Sequence, residues 1–457
     1  MRLAMRRIIV FVIWWHLTLP LASQSAWQQR FLNEVNSTAL QRSSAATPKL
    51  LARLDGADTR AFLARCCPEV AQWPAADLAE TLRQNLRAAE VVSGFSSEVN
   101  RSFFSFSLSE AEDVSHYENL WELWMRNHAE LSNYSVGMDW VETNFYGFKP
   151  FQEPAYPKSM EEARERSAYF LLNSLRVDVG SPLYGDITVV LLPSFAHRVS
   201  VISPLDSGSW CGFCHQCFQM PTPSYSHNCS AWSGPEGLGT FQALDHLLGI
   251  NEAYWATPEA FLHPLGRLLG SATFTGEDLV RYFEVMPAAK IEFPQHVKFV
   301  IAAFPSLFGT MRGERVRSWC RRNGWLLVWS LGLNVGFSTD HGMPHFWDVR
   351  HKGPFLCKQR LIDPVLLESA QLNATAASED LTAFAASWRQ MSSLRAATLQ
   401  PEDFSAFWTA LVANLSADLQ IEAVRPSCDL DRCMGVTHRG CLCRMRSEDE
   451  GMRTWTV

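Results

Sequence analysis

Apolar and polar residues recur with helical periodicity in the first third of the chain. Between residues 27 and 131 the amphipathic stretches, separated by polar turns, are residues 58–65, 76–91 and 109–131. Further on, Ser159-Met-Glu-Glu162 has the arrangement of a capping box, which marks the start of another helix. These patterns predict a helical N-terminal region, and none of them indicates catalytic chemistry.

Strands are predicted in the middle of the chain. Residues 186–192 and 198–203 are rich in Val and Ile and predict two strands joined by a turn that contains Pro193. A second apolar series predicts a strand, a helix that ends at Asn323-Gly324, and another strand. Its elements are residues 298–304, 313–322 and 325–331. This order of elements is typical of a crossover unit.

Over the whole chain the patterns predict an α+β fold. A connector rich in proline and aromatic residues, at residues 146–157, separates the helical region from the mixed one. The predicted parts are a signal peptide at 1–25, a helical N-terminal region at 26–145, a mixed α/β domain at 146–360 with a cysteine-rich insertion at 210–232, a helical C-terminal region at 361–420 and a cysteine-rich tail at 421–457.

The composition allows a large core and does not indicate nucleic-acid binding. Of the 457 residues 47% are apolar, the formal net charge is −7 and the pI is near 6.0. No run of Lys or Arg forms the positive patch that a nucleic acid or an anionic membrane attracts. Beyond the N-terminus no apolar segment reaches the roughly 20 residues that span a bilayer. We expect no nucleic-acid partner and no membrane span after processing; a small-molecule or glycan ligand remains open.

The N-terminus has the features of a signal peptide in their usual order. Three arginines among the first seven residues precede a short apolar stretch at residues 8–19. Small residues follow, and a cut near Ser25 would put Ser23 and Ser25 at the positions that a signal peptidase reads. The alternative is an uncleaved anchor, because Trp14 and Trp15 lengthen the apolar face.

Six Asn-x-Ser/Thr sequons without proline at x indicate passage through the secretory pathway. Composition alone would supply about two. The sequons begin at Asn36, Asn100, Asn133, Asn228, Asn373 and Asn414. We therefore expect an N-glycosylated protein that is extracellular or resides in a lumenal compartment.

Twelve cysteines, an even number gathered mostly in two dense clusters, agree with an oxidising compartment. The clusters are Cys211, Cys214, Cys217 and Cys229, and Cys428, Cys433, Cys441 and Cys443. Disulfides are the favoured interpretation, with each cluster paired largely within itself. Zinc is the alternative for the first cluster, because Cys-x-x-Cys spacing lets two thiolates converge on one ion and His215 and His227 lie nearby.

Short segments in a particular order carry a family resemblance over residues 140–333. They are Trp140-Val-Glu-Thr-Asn-Phe-Tyr-Gly147, Glu165-Arg-Ser-Ala-Tyr-Phe-Leu-Leu-Asn173, Pro182-Leu-Tyr-Gly-Asp-Ile-Thr-Val-Val190, Ser203-Pro-Leu-Asp-Ser207, Tyr282-Phe-Glu284, and residues 297–310 leading to Trp329-Ser-Leu-Gly332. In this order they resemble an uncharacterised, mainly bacterial domain family distantly related to ADP-ribosyltransferases. The family's early strand supplies a histidine before the tryptophan segment, and this chain has no clear counterpart of it.

The resemblance implies transfer of ADP-ribose from NAD. Glu284 would then hydrogen-bond a ribose hydroxyl and stabilise the oxocarbenium-like transition state, from a cleft beside the strand at residues 298–304. The ring of Tyr169 would stack on nicotinamide, and Ser203 and Asp206 would line the same cleft. The structural alternatives are a solvated sheet residue for Glu284, a core residue for Tyr169, and turn formation for the other two.

Two further functions remain open from the sequence. The loop at residues 340–351 has the residue types of a divalent metal site, which would suit a metal-dependent hydrolase. Its candidate ligands are His341, His345, Asp348 and His351, although Gly342 and Pro344 prevent a helix from bringing them to one face. The other function is non-catalytic binding of a glycan or a protein, since indole rings stack on sugars and the chain has 17 tryptophans.

Overall fold

The fold was analysed in a computed structural model of the chain. The structure describes residues 24–66, 68, 70–95, 97, 108–112, 114–126, 139, 142, 146, 157–174, 180, 185–204, 234–254, 283–303, 307, 309–330, 360–363, 433–437 and 440–443. The candidate metal loop, Asp206 and the first cysteine cluster lie outside the described residues. So do Cys428 and five of the six sequons, all but the one at Asn36.

Three helices come first in the described chain, and helices and strands alternate between residues 187 and 330. The helices are α1 (Ala26–Leu54), α2 (Ala57–Cys66), α3 (Ala75–Ala88), α4 (Leu108–Ala111), α5 (Leu120–Arg126), α6 (Met160–Glu165), α7 (Pro193–Val199), α8 (Leu244–Tyr254), α9 (Phe293–His296) and α10 (Met311–Asn323), with a 3-10 turn at Gly234–Gly237. The strands are β1 (Val91–Phe95), β2 (Phe170–Leu172), β3 (Ile187–Leu191), β4 (Ser200–Ser203), β5 (Glu284–Pro287), β6 (Val297–Ala303), β7 (Leu326–Ser330), β8 (Arg360–Ile362), β9 (Cys433–Thr437) and β10 (Gly440–Cys443).

Eight of these strands form one mixed sheet with the order β4-β5-β2-β1-β3-β6-β7-β8. Neighbouring strands are antiparallel, except for β6 and β7, which are parallel. Every residue of β1 and β3 is buried, so both faces of the sheet are covered at its centre. A mainly antiparallel sheet with helices packed on it confirms the predicted α+β class for the part of the chain that the structure describes.

Helix α1 is the longest described helix and packs on the sheet through a contiguous core. Ser25 is its N-cap residue and forms a reciprocal capping box with Gln28. Val35 and Leu54 of α1 belong to the same buried cluster as Leu82 of α3 and residues of the strands. None of the described helices combines the length and apolar character needed to cross a membrane.

The crossover unit is confirmed. Strand β6, helix α10 and strand β7 follow each other, and the two strands pair in parallel from Phe299 with Leu326 to Ala303 with Ser330. Thr310 caps the helix N-terminus with its side chain. Gly324 ends the helix in the left-handed conformation, with φ 71°, as a C-terminal glycine does.

Three local predictions were wrong. The predicted helical stretch at residues 109–131 is not continuous, because α4 ends at Ala111, α5 begins at Leu120, and residues 114–119 belong to neither helix. Pro193 does not lie in a simple turn: it occupies the first turn of helix α7, where a missing N–H group costs nothing. The predicted helix at residues 76–91 ends at Ala88, and residues 91–95 form β1, a strand that the helical periodicity did not predict. Strand β1 lies between β2 and β3, so the sheet contains residues from both sides of the connector at 146–157.

The described cysteines include Cys66 at the end of α2, Cys320 on α10, and three in the hairpin of β9 and β10. Strands β9 and β10 form an antiparallel hairpin, and the backbone of Cys443 lies opposite that of Cys433 in its register. Cys320 on helix α10 is a free, fully buried thiol. Pairing of all twelve cysteines is therefore wrong for Cys320, and 11 remain for disulfides.

Candidate functional site

Three neighbouring strands bring the main candidate residues to one face of the sheet. Ser203 on β4 lies opposite Glu284 on β5, and Glu284 lies opposite Leu171 on β2. Directly opposed residues of antiparallel strands share a face, with Cα atoms about 4.5–5.5 Å apart. Tyr169 precedes Leu171 by two residues and therefore lies on that same face. The candidates are thus collected at the β4-β5-β2 edge of the sheet.

Glu284 is buried within this group, with 3% of its surface exposed. Its Oε2 accepts a hydrogen bond of 2.9 Å from the hydroxyl of Tyr146, which is itself buried. The alternative of a solvated sheet residue is therefore wrong. The expected position beside the strand at 298–304 is also wrong, because β5 pairs with β2 and β4 and not with β6.

A second buried carboxylate, Glu142, lies next to Tyr169. The hydroxyl of Tyr169 donates a hydrogen bond to Glu142 Oε1. The indole nitrogen of Trp121 lies 3.0 Å and 3.1 Å from the two oxygens of the same carboxylate. Arg166 forms an ion pair with Glu142 Oε2. All three neighbours donate to this carboxylate, so they favour its ionised form and oppose the effect of burial.

Arg166 connects this carboxylate to a third one. Its Nη2 lies 2.7 Å from Oδ1 of Asp139, and its guanidinium lies over the ring of Trp121, 4.9 Å from the centroid. Burial acts to lower the pKa of Arg166, but the charge of Glu142 and the bond to Asp139 outweigh it, so the pKa is raised. The guanidinium therefore stays charged in the interior.

Burial also governs the acid–base properties of the two groups beside Arg166. It raises the pKa of Glu142, against the opposing effect of the Arg166 charge. It also raises the pKa of Tyr169 well above the ordinary value, together with the charges of Glu142, Tyr146 and Glu284. Tyr169 is therefore a hydrogen-bond donor at neutral pH.

Helix α5 positions this group through its capping residue. Asn119 and Glu122 form a capping box, with bonds of 3.0 Å and 3.1 Å between side chain and backbone. The Asn119 amide also donates to the carbonyl oxygens of Ala163 and Arg166, at 2.8 Å and 2.9 Å. The start of α5 therefore holds in place the segment before β2, and this segment carries Arg166 and Tyr169.

His116, Glu118 and Glu122 have ligand atoms within 4.8 Å of one another, a spacing that a metal ion could use. However, Arg126 pairs with Glu118, and Arg164 lies 3.1 Å from Glu122. Glu122 Oε2 also accepts a hydrogen bond from the backbone N–H of Asn119 at the start of α5, and Glu122 Oε1 lies 2.9 Å from His116 Nε2. A cation would have to displace two guanidinium groups, so these contacts favour a structural role for the cluster.

Asn36 is the one sequon residue within the described part of the chain. It lies on α1, is half-buried, and accepts a hydrogen bond of 2.8 Å from the hydroxyl of Thr240 through Oδ1. A glycan would be attached through Nδ2, so this bond and a glycan are compatible.

Sequence reasoning brought forward Tyr169, Ser203 and Glu284, which do lie together, and missed their partners Glu142 and Tyr146. Both missed residues belong to the segment Trp140-Val-Glu-Thr-Asn-Phe-Tyr-Gly147 that carried the family resemblance. Their four-residue spacing within that segment was the available signal. The roles of Glu142 and Tyr146 become visible only when the fold brings Tyr169 and Glu284 next to them.

Comparison of the chain with protein-family models and with curated protein sequences finds no match.

Proposed function

We propose that this protein is an N-glycosylated enzyme of the secretory pathway that transfers ADP-ribose from NAD, with Glu284 as its key carboxylate. The supporting observation is the collection of Tyr169, Ser203 and Glu284 on one face of three adjacent strands. These residues come from three separate segments, each of which carries the resemblance to the ADP-ribosyltransferase-like family. A single nicotinamide riboside group is small enough to contact all three.

The reaction breaks the bond between the nicotinamide nitrogen and C1′ of the ribose. Nicotinamide leaves as a neutral molecule, and an acceptor nucleophile forms a bond to C1′ and loses a proton. Positive charge develops on the ribose in the transition state. The carboxylate of Glu284 stabilises that charge and accepts a hydrogen bond from a ribose hydroxyl. The hydroxyl of Tyr146 holds the carboxylate in place by its bond to Oε2.

The charge of the surroundings supports this assignment. The side chains of Asp139, Glu142 and Glu284 lie in the site, and Arg166 pairs with the first two. A carboxylate close to the bound dinucleotide suits the cationic nicotinamide ring of NAD and the oxocarbenium character that follows. The ring of Tyr169, oriented by its bond to Glu142, offers a face for stacking on that cation.

The secretory part of the proposal rests on the sequence. The leader-like N-terminus, six sequons and clustered cysteines all indicate the same compartment. Cysteines 433 and 443, which lie opposite each other in the β9–β10 hairpin, are a candidate disulfide within the second cluster.

NAD recognition without turnover is the second candidate function. The early strand of the family supplies a histidine, whereas β1, the first strand of this sheet, reads Val-Val-Ser-Gly-Phe. A site that lacks this residue but keeps its carboxylates could bind the dinucleotide and leave it intact.

The test is a measurement of NAD binding and of nicotinamide release by the purified protein. Glu284→Gln keeps the size of the side chain and removes its charge, so we expect turnover to fall by at least ~10²-fold while NAD is still bound. The matched control is Asp186→Asn, which removes the carboxylate that accepts from Ser97 next to β3 on the same sheet. We expect this variant to turn over NAD normally once folded.

Absence of both NAD binding and nicotinamide release would refute the proposal. Binding without release in the wild-type protein would select the second candidate. Full turnover by Glu284→Gln would remove the catalytic role of this residue.

A further inference from the structure

The first residues of helix α1 are bound to both sides of the candidate site. Gln24 Nε2 donates a hydrogen bond of 2.7 Å to the carbonyl oxygen of Ala288, directly after strand β5. Trp27 Nε1 and Gln28 Nε2 donate to the side chain and backbone of Glu165, at 2.6 Å and 2.9 Å. Glu165 ends α6 and precedes Arg166. The start of α1 therefore holds together the strand that carries Glu284 and the segment that carries Arg166 and Tyr169.

Ser25 itself begins this helix. Its Oγ accepts from the backbone N–H of Gln28 at 3.4 Å, and its own N–H donates to Gln28 Oε1 at 2.9 Å. Such a reciprocal box satisfies two backbone donors at the helix start, which otherwise lack partners. Gln24 and Ser25 therefore belong to the folded domain and not to a leader.

Two cuts place a serine directly before the scissile bond. A cut after Ser25 has Ser25 and Ser23 at the two positions that the peptidase reads, whereas a cut after Ser23 has Ser23 and the apolar Leu21 there. The first would remove Gln24 and Ser25 and leave the ammonium group of Ala26 at the first helical residue. A positive charge there opposes the helix dipole, and the capping box is lost.

We propose that the leader is cut between Ser23 and Gln24, so that Gln24 is the first residue of the mature protein. Hydrolysis of this peptide bond leaves the carboxylate of Ser23 on the leader and an amino group on Gln24, and both contacts of the helix start are kept. This inference rests on the proposed secretory leader and is independent of NAD chemistry.

The test is to express the full chain with its own leader in secretory cells and to identify the N-terminal peptide of the product. Mass spectrometry should find a peptide that begins at Gln24 and keeps the side-chain amide that donates to Ala288. Any other first residue, Ala26 in particular, overturns the assignment. Enzymatic removal of N-glycans serves as the control for the leader. If gel mobility does not change and the chain is not exported, the secretory proposal itself fails, and the inference fails with it.

Two substitutions of Ser25 separate processing from folding. Ser25→Asp keeps a capping oxygen but puts a charge next to the bond after residue 25, where a peptidase does not accept it. We expect unchanged processing at Gln24 and an unchanged Tm. Ser25→Ala should also be processed at Gln24, but it loses the cap, and Tm should fall by about 1–2 °C. Loss or displacement of the cut in Ser25→Asp would contradict the proposal.

Discussion

At the scale of single residues, the site is defined by two buried carboxylates, each bound by a tyrosine hydroxyl. Glu142 accepts from Tyr169 and Glu284 accepts from Tyr146. Glu142 is also bound by Trp121 and by Arg166, so its oxygens already have partners. We therefore assign Glu142 the role of positioning Tyr169.

Tyr146→Phe tests the bond that holds Glu284. The substitution keeps the packed ring but removes a donor to a buried carboxylate, so the free energy of unfolding should fall by about 1.5–3 kcal/mol. The matched control is Tyr117→Phe, because the hydroxyl of the half-buried Tyr117 lies 2.7 Å from the neutral hydroxyl of Ser93. We expect that control to lose about 0.5–1.5 kcal/mol. Urea unfolding of both variants measures the difference, and equal losses would argue against a charged partner at Tyr146.

At the scale of elements, the crossover unit shows two glycines with different roles. Gly313 lies in the first turn of α10, where an added Cβ would be 2.1 Å from the carbonyl oxygen of Leu307. Gly324 lies at the helix end with φ 71°, and an added Cβ there would meet nothing within 4 Å. Close backbone approach therefore requires the first glycine, and backbone conformation favours the second.

The same alanine substitution at each glycine separates these effects. Gly313→Ala has to displace backbone, so we expect a loss of about 3 kcal/mol or more in the free energy of unfolding. Gly324→Ala has only the cost of the left-handed conformation, about 1–2 kcal/mol. Thermal or urea unfolding measures both losses. A loss at Gly324 as large as that at Gly313 would contradict this assignment of roles.

At the scale of the whole molecule, one contiguous core joins elements from distant parts of the chain. Leu54 of α1, Val189 of β3, Trp319 of α10 and Leu327 of β7 all belong to it. Cys320 lies in the same core, and burial raises the pKa of its thiol above the ordinary value. The core therefore protects this thiol from oxidation and exchange, since only the thiolate is reactive.

Cys320 also determines the thiol balance of the protein. With 12 cysteines and one of them free, the remaining 11 cannot all pair within one chain. We expect no reactive thiol from Cys320 in the native protein, and at least two thiols per chain after denaturation without reductant, or one together with a disulfide-linked dimer. Titration with a thiol reagent, combined with a non-reducing gel, measures this. A denatured chain with no free thiol would contradict the assignment of Cys320.

Local sequence features determined the parts of this protein that depend on neighbours along the chain. The crossover unit was predictable because a cap at Thr310, apolar periodicity and a stop at Gly324 act within a few residues. The N-terminal arginines, the sequons and the cysteine clusters are likewise local signals for a compartment.

The tertiary structure decided the strand order and the membership of the site. Strand β1 follows a helix in an amphipathic pattern, and only pairing with β2 and β3 makes it a strand. Glu284 lies near Tyr169 because β5 pairs antiparallel with β2, and Glu142, which is on neither strand, is joined to Tyr169 by a hydrogen bond from its hydroxyl. Periodicity carries no information about which distant strands pair, because pairing depends on packing over the whole sheet.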